Sequence, residues 1–176
     1  MNNKPAYDAS KIYDQMLLER LHKANYLESR LSNATEDQKH FWDILVKNKE
    51  YEIRVDTKYP HTKSDSYDIW FEYPKIIDKD KSQHFDELWY FIDDVGSTLL
   101  SNSQVYHVLM FKKNDIAKFL FDQYQSHKIR LFDSQNDSKI CWISIKDAYK
   151  VAYCGSRENS INIEKWIDGH YGKSNS

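Results

Sequence analysis

The sequence predicts a single α/β domain, a mixed β-sheet flanked by helices. Three observations carry that expectation. An apolar 3.6-residue period opens the chain, several short segments alternate or run apolar in the manner of strands, and a second helical period follows from Asn114. The 176 residues, 40% of them apolar, suffice for one core and strain to make two.

The first helix is expected from about Asp8 to Leu31. With Leu17 at the centre of the wheel, Tyr13, Leu21, Ala24 and Leu31 fall close to it, and Ser32-Asn33 stop the period. Thr35 is placed to cap a short turn, with Gln38 at the capping-box position. Strands are expected at His40 to Val46 and Glu50 to Lys58, joined as a hairpin through Asn48. A polar loop from Pro60 leads to a third strand, Tyr67 to Tyr73, which Pro74 ends. Lys75 to Gln83 reads as an exposed charged loop. Strands follow at Glu87 to Ile92 and Gln104 to Phe111, the latter so apolar that a central place is expected. Beyond the helix at Asn114 to Tyr124 come strands near Lys128 to Phe132 and Lys139 to Ile145, then helical pieces near Ile145 to Tyr153 and Ile163 to Ile167. One domain is expected over residues 1–171, with a disordered tail at 172–176.

Composition narrows the function classes. The formal charge of −2 excludes a histone-like binder and demands a local basic face for any nucleic-acid role. Cys141 and Cys154 are too few for a disulfide framework and badly spaced for zinc. The polar first ten residues do not read as a signal peptide, and no apolar run reaches the length of a membrane span. A cytoplasmic protein with no membrane partner is expected. The 15% aromatic content serves cores and base stacking alike.

Candidate chemistry centres on Asp43 to Lys58. In the strand from Glu50, alternation puts Glu52, Arg54, Asp56 and Lys58 on one face, so Asp56 and Lys58 are neighbours. Asp43 stands across the hairpin in a row with Phe41 and Leu45, where a carboxylate is costly to bury without a partner. A cation is one such partner. Mg²⁺ takes one or two carboxylates, leaving water and phosphate for its other positions, and a nearby lysine can steady the reacting charge. Glu28, within about 20° of Leu17 on the wheel, would point inward from the first helix and offer a further carboxylate.

Asp43 followed by Asp56-Thr57-Lys58 resembles the bipartite D…(D/E)-x-K signature of the PD-(D/E)XK nuclease superfamily. The stretch Thr35 to Asp43, with Asp68-Ile69-Trp70-Phe71-Glu72 beyond, looks like small phage-type proteins of that superfamily. Trp42 stands where the signature has Pro, and the second acid is Asp rather than the commoner Glu. The resemblance spans roughly Glu28 to Tyr124. It implies a restriction-endonuclease-like αβββαβ core, Mg²⁺ or Mn²⁺ dependence, and DNA as substrate, with RNA left open. Asp43, Asp56 and Lys58 would be catalytic, and Asp43, Asp56 and Glu28 would hold the metal. His40, Arg54, Lys47 and Lys63 would contact nucleic acid, with Lys49, Lys112 and Lys113 as further basic neighbours.

The residues also admit plainer readings. Asp56 and Lys58 could be the solvated face of an edge strand, Asp43 an exposed acid, Glu28 an ion-pair partner, and Glu72 a partner of Arg54 or Lys75. The leading expectation is a metal-dependent DNA nuclease associated with a phage or mobile element, possible as a homodimer. The alternative is an inactive nuclease-like scaffold that binds and inhibits a host protein.

Overall fold

A computed structural model describes residues 4–59, 68–93, 106–134 and 138–153. Helix α1, Lys4–Lys23, buries Tyr13, Asp14, Leu17 and Leu21 along one stripe. It ends eight residues earlier than its apolar period suggests. Asn25 takes a left-handed conformation (φ 69°), its N–H bonds His22 O (3.1 Å), and the Tyr26 N–H bonds Leu21 O (2.9 Å). That is a Schellman stop, completed by the apolar packing of Tyr26 with Leu21.

Two sheets follow. The five-stranded sheet has the order β1 (Arg30–Leu31), β2 (Ile44–Lys47), β3 (Glu52–Lys58), β5 (Glu87–Asp93), β6 (Tyr106–Lys112). All its pairs are antiparallel except β3 with β5. The expected β2–β3 hairpin is present, with the Asn48 N–H on Tyr51 O. The expected third strand, β4 (Asp68–Glu72), leaves this sheet. It pairs with β8 (Lys139–Ser144), which pairs with β7 (Phe132–Asp133). Parallel β5 takes the place beside β3.

The five-stranded sheet is covered on both faces. Tyr13, Leu17, Leu21 and Tyr26 pack on Ile44, Val46, Val55, Trp89 and Met110. On the other face Leu45, Leu88, Tyr90, Leu109 and Phe111 meet Ile69, Phe71, Cys141 and Ile143 of the small sheet. Helices α2 (Tyr73–Ile77), α4 (Lys113–Gln125) and α5 (Ile145–Val151) complete that layer through Ile76, Ile116, Leu120 and Ala148. Double coverage explains the continuous burial of Leu88 to Phe91 and of Val108 to Phe111. It also explains why β6, expected at the centre, lies at the end of the strand order. Its apolar run reflects two covered faces, and the Tyr153 N–H takes up the edge carbonyl of Met110 (3.0 Å).

Other expectations are corrected. The first hairpin strand starts at Ile44 rather than His40, because Glu36–His40 form a π-helical turn. Asn33, not Thr35, caps it: Asn33 Oδ1 accepts from the Glu36 N–H and Glu36 Oε2 from the Asn33 N–H, both at 2.9 Å. Lys75 to Gln83 is not a loop. Pro74 sits in the first turn of α2, and α3 (Lys79–Ser82) follows, capped by Asp78. The expected helix at Ile163 to Ile167 and the tail at 172–176 lie outside the described residues. Among those described, no helix is long and apolar enough to cross a membrane.

Full burial between layers makes Leu109 a strong test. Leu109→Ala is expected to cost about 2–5 kcal/mol in urea unfolding, whereas Leu27→Ala, 69% exposed, should stay within about 0.5 kcal/mol. Equal effects would mean that the second layer does not cover the sheet.

Candidate functional site

The carboxylates gather just before the start of β2, beside the C-terminal half of β3. Phe41 is left-handed (φ 60°), and the Asp43 N–H bonds Val55 O (2.9 Å), one step out of the Ile44↔Val55 register. The backbone is kinked there in the manner of a bulge, and this re-aims the Asp43 side chain. Its Oδ2 accepts from the Thr57 N–H at 2.8 Å, replacing the strand carbonyl that β2 no longer supplies.

Alternation along β3 divides the site. Toward α1, the Thr57 hydroxyl lies 2.7 Å from Asp14 Oδ1 and 3.2 Å from Asp43 Oδ2, and the Tyr59 hydroxyl donates to Asp14 Oδ1 at 2.8 Å. Toward the small sheet stands Asp56, 1% exposed. Lys75 Nζ approaches its Oδ1 at 2.9 Å and Lys58 Nζ at 3.5 Å. Both lysines also reach Glu72 Oε2, at 3.6 Å from Lys58 and 3.7 Å from Lys75. Asp56 Oδ2 is buried with no N–H or hydroxyl donor, and the carboxyl that hydrogen-bonds Asp56 is that of Asp43.

The electrostatics follow from this packing. Burial, then the charges of Asp56 and Asp14, push the Asp43 carboxyl up to about 8. Burial also raises Asp14, against its hydrogen bonds from Thr57 and Tyr59. Burial acts on Asp56 in the same direction, but Lys58 and Lys75 outweigh it and hold Asp56 below the usual carboxylate range. Lys58 rises above its ordinary value although burial opposes this, because Asp56, Glu72 and Asp43 surround it. The site therefore pairs an ionised carboxylate with a neutral one, beside a lysine that stays a cation.

Asp43, Asp56 and Lys58 are thus brought together. Glu28 is not: it lies past the end of α1 and is exposed, and the inward carboxylate of the first helix is Asp14. Asp14 was legible as an acid about 60° from Leu17, on the apolar stripe. Lys75 was expected as a possible partner of Glu72, and it is one, but its bond to Asp56 was hidden by reading Pro74 as a stop rather than as the first turn of a helix. Glu72 pairs with Lys58 and Lys75, whereas Arg54 is held by Asp86 through Nε and Nη2, both at 3.2 Å. Lys47 is paired with Glu52 (3.2 Å) at the far end of β2 from Asp43, and His40 stacks on His84 at 4.6 Å. Lys63 lies outside the described residues. Among the described residues no three His, Cys, Asp or Glu side chains meet at metal-ligand spacing.

The raised Asp43 carboxyl has a consequence for stability. An acid with a raised folded pKa keeps its proton where the unfolded chain has lost it, so stability falls as pH climbs from the ordinary 3.8 to about 8. Asn at this position keeps an acceptor for the Thr57 N–H and a donor toward Asp56, and it does not titrate. The melting temperature of Asp43→Asn, relative to wild type, should therefore rise between pH 5 and pH 8, by about 2–4 °C per kcal/mol regained. A difference that stays flat with pH would refute the neutral-acid assignment.

Comparison with protein-family models, curated proteins and solved structures gives no match, so the chemistry of this chain rests on the arrangement of its own side chains.

Proposed function

We propose that the chain hydrolyses phosphodiester bonds of nucleic acid with a divalent cation, Mg²⁺ or Mn²⁺, held between Asp43 and Asp56. One observation supports this above the others: Asp56 Oδ2 is buried without a donor, and a second carboxyl, that of Asp43, lies within hydrogen-bonding reach of Asp56. Two carboxyls in that position need a proton or a cation between them. Two hard oxygen donors, with water and phosphate for the rest, are the usual protein share of a magnesium site, so a pair suffices.

In this reading Asp43 and Asp56 each give an oxygen ligand. The bound cation supplies charge neutralisation at the phosphate and a more acidic water. Lys58, a cation held in place by Asp56 and Glu72, acts as a donor and not as a base; it would donate to a phosphate oxygen or orient the attacking water. Asp14 acts through others: with Thr57 it fixes Asp43, whose Oδ2 the Thr57 backbone and hydroxyl both approach.

A second reading has one observation of its own. Asp56 Oδ1 is already engaged by two lysines, a closed ion-pair network that a scaffold without activity would also keep. Such a chain would act by binding a protein.

Incubation with supercoiled, linear and single-stranded DNA and with RNA, in Mg²⁺, in Mn²⁺ and then in EDTA, separates the two. Cleavage should require the cation and fall at least about 100-fold in Asp56→Asn, while Glu28→Ala keeps the wild-type rate. Cleavage by Asp56→Asn at the wild-type rate removes the assignment. A folded wild type that cuts none of these substrates favours the scaffold.

A further inference from the structure

Among the described residues the small sheet has one face in the core and one turned outward. Ile69, Phe71, Cys141 and Ile143 fill the core, so alternation turns Trp70, Glu72, Ile140 and Trp142 outward. Trp70 stands directly opposite Trp142 on the ladder, and Phe132 opposite Ile140. Trp142 is 38% exposed and Phe132 50%. This aromatic face continues into the candidate site, because Lys58 Nζ lies 5.8 Å from the Trp70 ring centroid and 3.6 Å from Glu72.

On the other side of the site the surface turns basic. Lys75, bound to Asp56, lies over the rings of Phe41 (5.7 Å) and Phe85 (6.0 Å), and Lys113 lies over Phe85 (5.8 Å). His84, stacked on His40, adjoins them. Burial and then the neighbouring His40, Arg54 and Lys113 hold His84 below its ordinary value, so its imidazole N–H is a neutral donor. Asp86, already bound by Arg54, is the acid among them.

We propose that this surface binds single-stranded nucleic acid, with bases stacked on Trp70 and Trp142 and a flanking phosphate held by Lys113 and His84, so that the backbone crosses the Asp43–Asp56 pair. The proposal rests on the hydrolase reading and names its substrate class. Stacking needs unpaired bases, whose faces a duplex keeps covered. The charge on the far side suits a polyanion, and the two features meet at Lys58 and Lys75, beside the same carboxylate.

The test uses the whole chain in EDTA, with fluorescein-labelled oligo(dT), oligo(U) and a blunt DNA duplex as probes. Anisotropy gives affinity, and intrinsic tryptophan emission reports stacking. Both single strands, or one of them, should bind more tightly than the duplex and quench the emission. Trp142→Ala should weaken that binding about tenfold or more and remove much of the quenching, while Trp142→Phe restores affinity. Lys113→Gln should lower the salt dependence by about one charge. Equal binding of duplex and single strand, or an unaltered Trp142→Ala affinity, overturns the proposal. So does self-association that Trp142→Ala abolishes, which would make a second copy the occupant. Repeating the assay in Mg²⁺ separates the two claims. Cleavage confined to duplex sinks the stacking surface and leaves the hydrolase, whereas single-strand binding with quenching and no cleavage does the reverse.

Discussion

Asp56 is the constraint around which the second layer is arranged. An ionised carboxylate between two sheets would be prohibitive alone, and removing one partner of such a buried pair costs about 3–5 kcal/mol. Its two partners come from different elements, Lys58 from the same strand and Lys75 from α2. Charge therefore fixes where α2 begins, in addition to the packing of Tyr73 and Ile76. Glu72, the residue before α2, receives both ammonium groups and closes the network from the outer edge. The departure of β4 from the five-stranded sheet and the turn into α2 deliver Glu72 and Lys75 to the face of β3 that carries Asp56.

The α1 face of β3 solves a different problem by different means. Asp14 is met by the hydroxyls of Thr57 and Tyr59, whose hydrogen bonds favour its charged form and oppose the effect of burial. Asp43 joins the two sides, through Thr57 to Asp14 and directly to Asp56. The two faces of a strand are normally independent. Here the kink at Asp43, just before β2 begins, places one carboxyl at the edge and couples them.

This geometry separates what was legible in the sequence from what was not. The hairpin was legible because Asn48 and strict alternation are local signals, and alternation also assigned Asp56 and Lys58 to one face. The end of α1 was misplaced because Leu31 continues the apolar period by coincidence. The true stop is a left-handed backbone conformation at Asn25, a residue type that favours it, with Arg20, His22 and Lys23 in the last turn as further sequence traces. The partner of β4 was not legible at all. Alternation in Asp68–Glu72 says which residues are buried, but not that Ile69 and Phe71 meet β8, seventy residues on. The bond of Lys75 to Asp56 was lost with that strand, since a lysine beside a proline carries no sign of a partner nineteen residues earlier.

The charge count connects these parts to chemistry. Asp43, Asp56 and Glu72 face Lys58 and Lys75, whereas the cation near Asp14, on the other face of β3, is Lys11. Two ammonium groups compensate two carboxylates, and burial drives the other two carboxyls, Asp14 and Asp43, toward their neutral acids. A purely structural network has no need of the surplus acids, because Asp56 and Glu72 already balance Lys58 and Lys75. Asp14 and Asp43 impose a desolvation cost that packing with apolar side chains would avoid. In the hydrolase reading proposed above, this cost follows from keeping two carboxyls together for a cation, one of them with an oxygen that no N–H or hydroxyl meets.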